Sequence, residues 1–310
     1  MDISVVIVNW NVSERLRCCL ESLYAFTRGI SWEVLVVDNN SPDDSVEMVR
    51  TRFPQAGVIA LGENLGFSAA NNRGIRRTQG RYVLLLNPDT LIRDNALAQV
   101  VSWLDQHPEA DAVAPQLLYP DESVQLSCRH FPTVVIDLWE SLYLDQLFPR
   151  SRIFNRYRMG LWPHDSCRRV DQPYGACIGL RREVFERVGL MDERFFMYYD
   201  EVDLCLRLSK KGGEIWYVPG IRVVHYANQS SNQVTDACEF HKARSRMLFF
   251  RKHYGEMRAA LLWGHLCLRS TLVWGLYPLL HLITGRPRQV RFFQRPAYFL
   301  WKGYRDALRY

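Results

Sequence analysis

Three places in the sequence set ionisable side chains at the end of an apolar run. The run Tyr82 to Leu86 (YVLLL) leads into Asn87-Pro88-Asp89, the run IRVV leads into His225, and YYDEVDLCLRL puts Asp200 and Glu201 side by side ahead of Leu204 and Leu208. A carboxylate and an imidazole are donors that suit a divalent cation such as Mg²⁺ or Mn²⁺. On a helix starting near Asp200, Glu201 shares a face with Leu204 and Leu208, so it stands at the helix mouth on the core side, where a base would stand at the end of a cleft. The chemistry on offer is charge neutralisation at one point and proton abstraction at another. Each residue also has a plainer reading. Asp and Asn favour turns and helix caps. Asp200 as N-cap with Asp203 at N3 is what a helix dipole favours, and Asp203 with Arg207 is an i,i+4 pair of structural type. A lone histidine such as His225 is more often structural than functional.

These residues act together only if the fold brings them to one edge. Ile3 to Val8 is a nearly continuous β-branched run, which predicts a strand covered on both faces. Ser13 is read as the N-cap of a helix to about Phe26. EVLVVDNN is read as a second strand, Ser41 to Asp44 as caps for a helix to about Phe53, and AGVIAL as a third strand. Ser68 to Thr78 reads as helix, RYVLLLN as the fourth strand, Asp94 as the cap of a helix to about Gln106, and DAVAPQLLY as a fifth strand. This alternation predicts an α/β domain with a mostly parallel sheet and helices on both faces. Ligands of such sheets bind beyond the carboxyl ends of the strands. Asn9 and Asn11 after strand one, Asp38 after strand two, and Asn87 and Asp89 after strand four gather there. Pro88 ends its strand and restricts the chain, aiming Asp89 outward. Neither a GxGxxG nor a Walker loop is present, so a bound nucleoside diphosphate would need another neutraliser, which a cation at Asp89 supplies.

Beyond this half, residues 120 to 170 are irregular and read as loops and short helices folded over a site. RREVFERV reads as helix, DEVDLCLRLSKKGG as a helix ending on a glycine cap, and EIWYVP and IRVVHY as strands. The 310 residues are 48% apolar and 23% charged, enough for a core of ordinary globular type. Eight cysteines without a CxxC pair speak against a disulfide framework or zinc site and fit a reducing compartment. The opening MDISVVIVNWN has no basic leader, so the expected location is cytoplasmic.

Charge is unevenly spread. Residues 240 to 310 hold 14 Lys and Arg against Glu256 and Asp306 alone, whereas the other residues carry 25 basic against 31 acidic side chains. A basic tail predicts a negatively charged surface as partner. The stretch AALLWGHLCLRSTLVWGLYPLLHLITG is broken by His265, Arg269 and Pro278, and its uncharged pieces fall short of the roughly 20 residues of a spanning helix. It predicts one or two helices lying at a membrane interface, with Trp, Tyr and Arg as anchors. The competing reading is a helical pair packed on the rest of the chain or across a homodimer. No nucleic-acid-binding motif is present, so an anionic membrane is the expected partner and nucleic acid is not.

Six segments appear in a fixed order: VVIVNWN, VVDNNSPDDS, NLGFSAANNRGI, LLLNPDT, GACIGLRREVFERVGLMDERFFMYYDEVDLCLRLSKKG and VVHYANQSS. On these the chain, from residue 3 to about 232, resembles the inverting family 2 glycosyltransferases of GT-A fold, and among them the bacterial rhamnosyltransferase-like group. ARSRMLFFRKHYG resembles the segment that follows in that group. The resemblance implies a catalytic domain over 1–235 and a basic, aromatic helical region over 236–310. It implies that Asn9 and Asp38 contact the base and ribose of a nucleotide sugar, and that Asn64 to Asn72, with Gly66 and Asn71, line its pocket. Asn87-Pro88-Asp89 stands in place of a DxD motif with Asp89 the metal ligand, and His225 matches a histidine that completes the metal site. Asp200-Glu201 stands where the family has Glu-Asp, whose second residue is the general base. Gly175, Ala176 and Cys177 form a wall that holds the substrates in line.

Two departures stand out: Asn87 replaces the first acid of DxD, and the acidic pair is reversed. Glu201 is the base by position, and Asp200 stays a candidate. The implied reaction moves a sugar from a nucleotide diphosphate sugar, either dTDP-L-rhamnose or a UDP-sugar, to a saccharide or polyprenyl-linked acceptor in cell-surface polysaccharide synthesis. It uses Mg²⁺ or Mn²⁺ on the inner face of the plasma membrane, with Arg244 and Arg246 as further cations and Tyr198 and Tyr199 as candidates to stack on a sugar. A metal-dependent nucleotidyltransferase and a catalytically silent nucleotide-sugar-binding scaffold are the alternatives; NWNVSERLR lacks the glycine that the first would show.

Overall fold

The alternating apolar runs form the elements that must position the site. The structure is a computed structural model that describes residues 1–159, 161–227, 235–268 and 271. In chain order its elements are β1 (Ile3–Asn9), α1 (Ser13–Phe26), β2 (Trp32–Asp38), α2 (Ser45–Arg52), β3 (Gly57–Ala60), α3 (Phe67–Arg77), β4 (Tyr82–Leu86), β5 (Thr90–Ile92), α4 (Ala96–Gln106) and β6 (Ala112–Leu118). They continue with β7 (Cys128–Arg129), α5 (Val134–Ser141), α6 (Leu144–Leu147), β8 (Arg168–Val170), β9 (Gln172–Pro173), β10 (Cys177–Arg181), α7 (Arg182–Val188), α8 (Asp200–Lys210), β11 (Ile215–His225) and α9 (Thr235–Tyr254).

The main sheet runs in the order β3-β2-β1-β4-β10-β6-β11-β5, with β8 also paired to β11. The block β3-β2-β1-β4 is parallel, as expected. The other half is mixed: β10 runs antiparallel to both β4 and β6, whereas β6 and β11 are parallel. Register explains the site edge. Asn9 pairs with Asp38, Ile7 with Leu86, and Cys177 with Leu86 from the opposite direction. The ends of β1, β2 and β4 and the start of β10 therefore meet on one rim.

Both faces of the sheet are covered. Ile3, Val5 and Ile7 of β1 pack on one side with Leu16, Leu20 and Leu23 of α1 and Leu97 and Leu104 of α4. Val6 and Val8 face the other side, with Ala70 and Ile75 of α3, Val184 of α7 and Leu204 and Leu208 of α8. This period-2 split is why the first strand reads as a near-continuous apolar run. Each such buried aliphatic side chain is worth about 1.5–3 kcal/mol relative to exposure. At Gly74, α3 comes so close to β1 that a Cβ would lie 2.4 Å from Val6 Cγ1.

Several local expectations are corrected. Ser13 is not an N-cap: it lies inside the first turn of α1, and its N–H donates to the Asp43 carboxylate at 3.0 Å. Asp94 does not cap α4 either, because Asp94 and Asn95 both take left-handed backbone and the cap position belongs to Asn95. EIWYVP and IRVVHY are one strand, β11, with a register shift between Val218 and Arg222 that absorbs Pro219-Gly220.

The chain forms two compact units. The first holds residues 1–131, 158–196 and those from Asp200 through β11; the second holds 132–157, 197–199 and the helical segment that follows residue 234. In the second unit α9 buries Met247, Leu248, Phe249 and Phe250, and Tyr254 donates its hydroxyl to Pro132 O at 2.9 Å. Arg246 is held by the Asp137 carboxylate. A further helical run covers 256–268; it buries Ala259, Leu262 and Leu266 but exposes Met257, Leu261 and Leu268. No helix among the described residues is long and apolar enough to cross a membrane. Of the stretch expected to form interfacial helices, residues 259–285, the structure describes 259–268 and 271; the rest lies outside the described residues.

Candidate active site

Along the rim of the first unit the polar residues fall into three groups. The first is at the ends of β1 and β2. Asp38 is buried, and its carboxylate accepts from Asn9 Nδ2 at 2.8 Å, from the Ser41 hydroxyl at 2.6 Å and from the Ser41 N–H at 2.9 Å. Ser41 Oγ in turn accepts the Asn11 N–H at 2.9 Å. Asn9, Asn11 and Asp38 are thus one network. Its loose end is Asn9 Oδ1, which is buried without a hydrogen-bond partner. A buried acceptor left open in this way is paired once a donor group arrives.

The loop ahead of α3 is built on local bonds. Asn39 Oδ1 accepts from Leu65 N–H at 2.8 Å, and Asn64 Oδ1 accepts from Gly66 N–H at 3.0 Å. Gly66 has φ 84°, which favours glycine, and a Cβ there would fall 2.5 Å from Phe196 O. Asn71 is buried and its amide donates to Phe67 O at 3.0 Å. Asn72, one position on, clamps the later chain: it donates to Met191 O at 2.8 Å and to Glu193 at 2.9 Å and accepts the Met191 N–H at 3.0 Å.

The second group is at the end of β4. Asn87 N–H donates to Ala176 O at 2.9 Å, and Thr90 Oγ1 donates to Asn87 O at 2.8 Å, so the Asn-Pro-Asp turn is tied to β10 on one side and to β5 on the other. Because Thr90 pairs with His225 across β5 and β11, and Tyr226 N–H donates to Asp89 O at 2.9 Å, Asp89 and His225 come together. His225 Nε2 stands 3.5 Å from Asp89 Oδ1, with both side chains largely buried. No cluster of three His, Cys, Asp or Glu side chains occurs among the described residues. An oxygen donor from the turn before β5 and a nitrogen donor from the end of β11 still fit a hard divalent cation, which takes its other ligands from substrate phosphates and water. Arg15 of α1 lays its guanidinium 4.0 Å over the ring of Tyr226, the residue after His225. Sequence reasoning missed Arg15, since its place depends on a ring more than 200 positions away.

The third group opens α8. Asp200 is buried, and burial, reinforced by the neighbouring Glu201 charge, pushes its carboxyl well above the usual range. Burial also raises Glu201, against hydrogen bonds from backbone N–H groups and from the Asp200 carboxyl that favour its ionised form. Burial thus favours the protonated form of both carboxyls, and more strongly that of Asp200. Glu201 keeps some exposure and lies against Gly175. Asp203 is instead fully buried against Arg207 at 2.8 Å, a structural pair as expected. Tyr198 and Tyr199, in the second unit, both have left-handed backbone, φ 64° and 61°. Bulky residues hold that conformation only under constraint from their surroundings.

The structure brings Glu201, Gly175, Ala176, Asn87, Asp89 and His225 into one chain of contacts, with Asn9, Asn11 and Asp38 farther along the same rim. Asn64 and Asn71 spend their side-chain bonds on their own loop and helix.

The family model described as "Glycosyl transferase family 2" matches residues 4–189. The chain is 31% identical over 286 residues to the N-acetylglucosaminyl-diphospho-decaprenol L-rhamnosyltransferase of Mycobacterium tuberculosis, a match that covers 87% of this chain and 92% of that one. It is 28% identical to the rhamnosyltransferase WbbL of Escherichia coli, covering 73% of this chain and 84% of that one. Among solved structures, the mannosyltransferase PcManGT from Pyrobaculum calidifontis, in complex with GDP-Man and Mn²⁺, has a TM-score of 0.60 at 18% identity, covering 99% of this chain and 86% of that one. That last likeness is one of fold.

Proposed function

From the premise that the chain belongs to glycosyl transferase family 2, we propose that it is an inverting transferase that moves an L-rhamnosyl residue from a nucleoside diphosphate donor to a polyprenyl-linked saccharide. The observation that carries the mechanism is the continuity of the site. Glu201 lies against Gly175, Ala176 O accepts the Asn87 N–H, and Asp89 follows two positions on beside His225. The two relatives named as rhamnosyltransferases support the sugar.

Each residue then has a task. Asp89 and His225 would hold a divalent cation. When bound, the cation offsets the charge that gathers on the leaving diphosphate. Arg15, held over the ring of Tyr226 next in sequence to His225, is a further fixed positive charge. Glu201 takes the proton of the acceptor hydroxyl as its oxygen bonds to the anomeric carbon and the bond from that carbon to phosphate oxygen breaks. One such displacement inverts the anomeric centre. Asp200 holds the Glu201 carboxylate in place with its own proton. Asn9 Oδ1 accepts from an N–H of the donor base, with Asp38 fixing its amide.

The tail supplies the place of action. Residues 240 to 310 are strongly basic, and the run 256–268 exposes Met257, Leu261 and Leu268 along one side. A basic segment with an exposed apolar stripe supports peripheral binding to an anionic leaflet, where a polyprenyl acceptor resides.

The test is a calorimetric donor panel of dTDP-L-rhamnose, UDP-glucose, UDP-GlcNAc and GDP-mannose, with and without Mn²⁺ or Mg²⁺. The expected result is metal-dependent binding of dTDP-rhamnose above the others. Preference for another sugar overturns the rhamnose assignment, and absence of binding to every donor overturns the transferase mechanism.

A further inference from the structure

Gln125 lies in the irregular stretch between β6 and β7, and no motif marks it. The chain leaves β6 through a tight turn, in which Tyr119 N–H donates to Ser123 O at 2.8 Å, and returns antiparallel along the strand it has just left. Gln125 N–H donates to Leu117 O at 2.8 Å, which fixes its backbone and turns its side chain toward β11. The side chain is 3% exposed.

The orientation of its amide follows from its neighbours. Gln125 Nε2 stands 2.6 Å from His225 O and 3.4 Å from Leu118 O. Both are carbonyl acceptors, so the NH₂ must face them; the flipped amide would press oxygen against oxygen. Gln125 Oε1 is then the atom 2.9 Å from His225 Nδ1. An amide oxygen only accepts, so Nδ1 must carry the proton. In the neutral ring this leaves Nε2 with a bare lone pair, and Nε2 is the atom 3.5 Å from Asp89 Oδ1.

We propose that Gln125 is a positioning residue of the metal site: through its paired bonds to the His225 ring and carbonyl it holds the imidazole in the Nδ1–H form and presents Nε2 to the cation. The proposal rests on the reading of Asp89 and His225 as metal donors. Outer partners of this kind orient a histidine ligand, and their loss typically costs 10–100-fold in metal affinity.

The test has two readouts, neither of them turnover. In metal-free protein labelled with ¹⁵N-histidine, at mildly alkaline pH, the His225 signal is identified by its loss in His225→Gln. The expected spectrum shows Nδ1 protonated and Nε2 bare, the less common tautomer of a free histidine. An Nε2–H signal overturns the proposal. Titration with Mn²⁺ in the presence of a nucleoside diphosphate then compares wild type with Gln125→Met and Gln125→Glu. Met should mix the tautomers and weaken Mn²⁺ about 10–100-fold. Glu keeps an acceptor for Nδ1–H but can meet the His225 carbonyl only with its carboxyl protonated, so it should recover the tautomer and affinity in part, and more at lower pH. Unchanged Mn²⁺ affinity in Gln125→Met overturns the proposal even if the metal reading stands. Failure of wild type to bind Mn²⁺ or Mg²⁺ overturns the metal reading, and with it the proposed role of the lone pair. Should Gln125→Met fail to fold, the wild-type spectrum and the Glu variant still decide the matter.

Discussion

The side chain of Glu201 lies along the α-carbon of Gly175: a Cβ placed there would meet Glu201 Cβ, Cγ and Cδ at 3.4, 3.5 and 3.7 Å. These are ordinary van der Waals distances, so the Glu201 stem rests on the backbone of the turn at 175. Gly175 belongs to the turn that enters β10, and β10 is hydrogen-bonded to β4, so Glu201 is tied to the strand that leads into Asp89.

Glu201→Gln should lower kcat by about 10²–10⁴ while leaving donor affinity nearly unchanged, since a general base contributes that much and does not touch the donor. Asp200→Asn keeps a hydrogen-bond donor next to Glu201 and should retain most of the activity. Steady-state kinetics with donor binding by calorimetry checks both; a larger loss in Asp200→Asn would exchange their roles.

The pH–rate profile should carry an acid limb set by Glu201. The base works ionised, and burial raises its pKa from the ordinary 4.5. Activity is thus full above the raised value and falls as pH drops through it. Measuring kcat/KM from neutral to acid pH should place the limb above that of a free glutamate, and Glu201→Gln should remove it.

Asp89→Asn removes the charged donor of the cation pair. Metal-dependent donor affinity should fall by at least about 10-fold, as for loss of a ligand's support or more. Chelation of wild type with EDTA should reproduce the loss, and excess Mn²⁺ should reverse the chelation but not the substitution. Calorimetry with each form reads the difference.

Gly66→Ala should destabilise the chain. The left-handed backbone alone costs of order 1–3 kcal/mol for a residue with a side chain, and the new methyl would fall 2.5 Å from Phe196 O and 2.7 Å from Phe196 Cδ2. Thermal unfolding reads it directly, and weaker donor binding should accompany it because the same turn shapes the loop before α3.

Acid should loosen the fold through two histidines. His164 is buried, its Nε2 accepts the Cys128 N–H at 3.3 Å, and burial lowers its pKa from 6.5. Burial, with the Arg244 charge second, lowers His241 to about 4. For depressed pKa values, the unfolded chain takes up protons first. Stability is therefore full above 6.5 and declines as pH falls toward the folded values, near 4 for His241. Unfolding midpoints across that window should fall, and His164→Gln should flatten the decline at the expense of stability at neutral pH.

How far the sequence carries the reader differs by element. β1, β2 and β4 are legible because burial on both faces forces unbroken apolar runs. α8 is legible because its leucines recur at helical spacing and buried Leu204 and Leu208 fix its face. β5 is not, since three residues acquire strand geometry only by pairing with β11. The order of β10 between β4 and β6 has no local signal either. Asp89 and His225 were visible as strand-end residues, but their meeting depends on that pairing. Gln125 was invisible, because its meaning comes from a partner 100 positions away. The choice between Asp200 and Glu201 turns on which carboxyl is buried deeper, a property of packing that the pattern of acids does not carry.

The grip of α3 on the later chain has a kinetic consequence. Phe67 N–H donates to Phe196 O, and Asn72 holds Met191 and Glu193, so the loop that would receive the donor and the strand of backbone leading to Asp200 are braced against each other. A donor that settles that loop settles the approach to the dyad as well. The brace predicts compulsory order, donor before acceptor, which product-inhibition kinetics would read. On that order the dyad should be set only once the donor is in place, and loosening the brace with Asn72→Ala should raise donor hydrolysis relative to transfer.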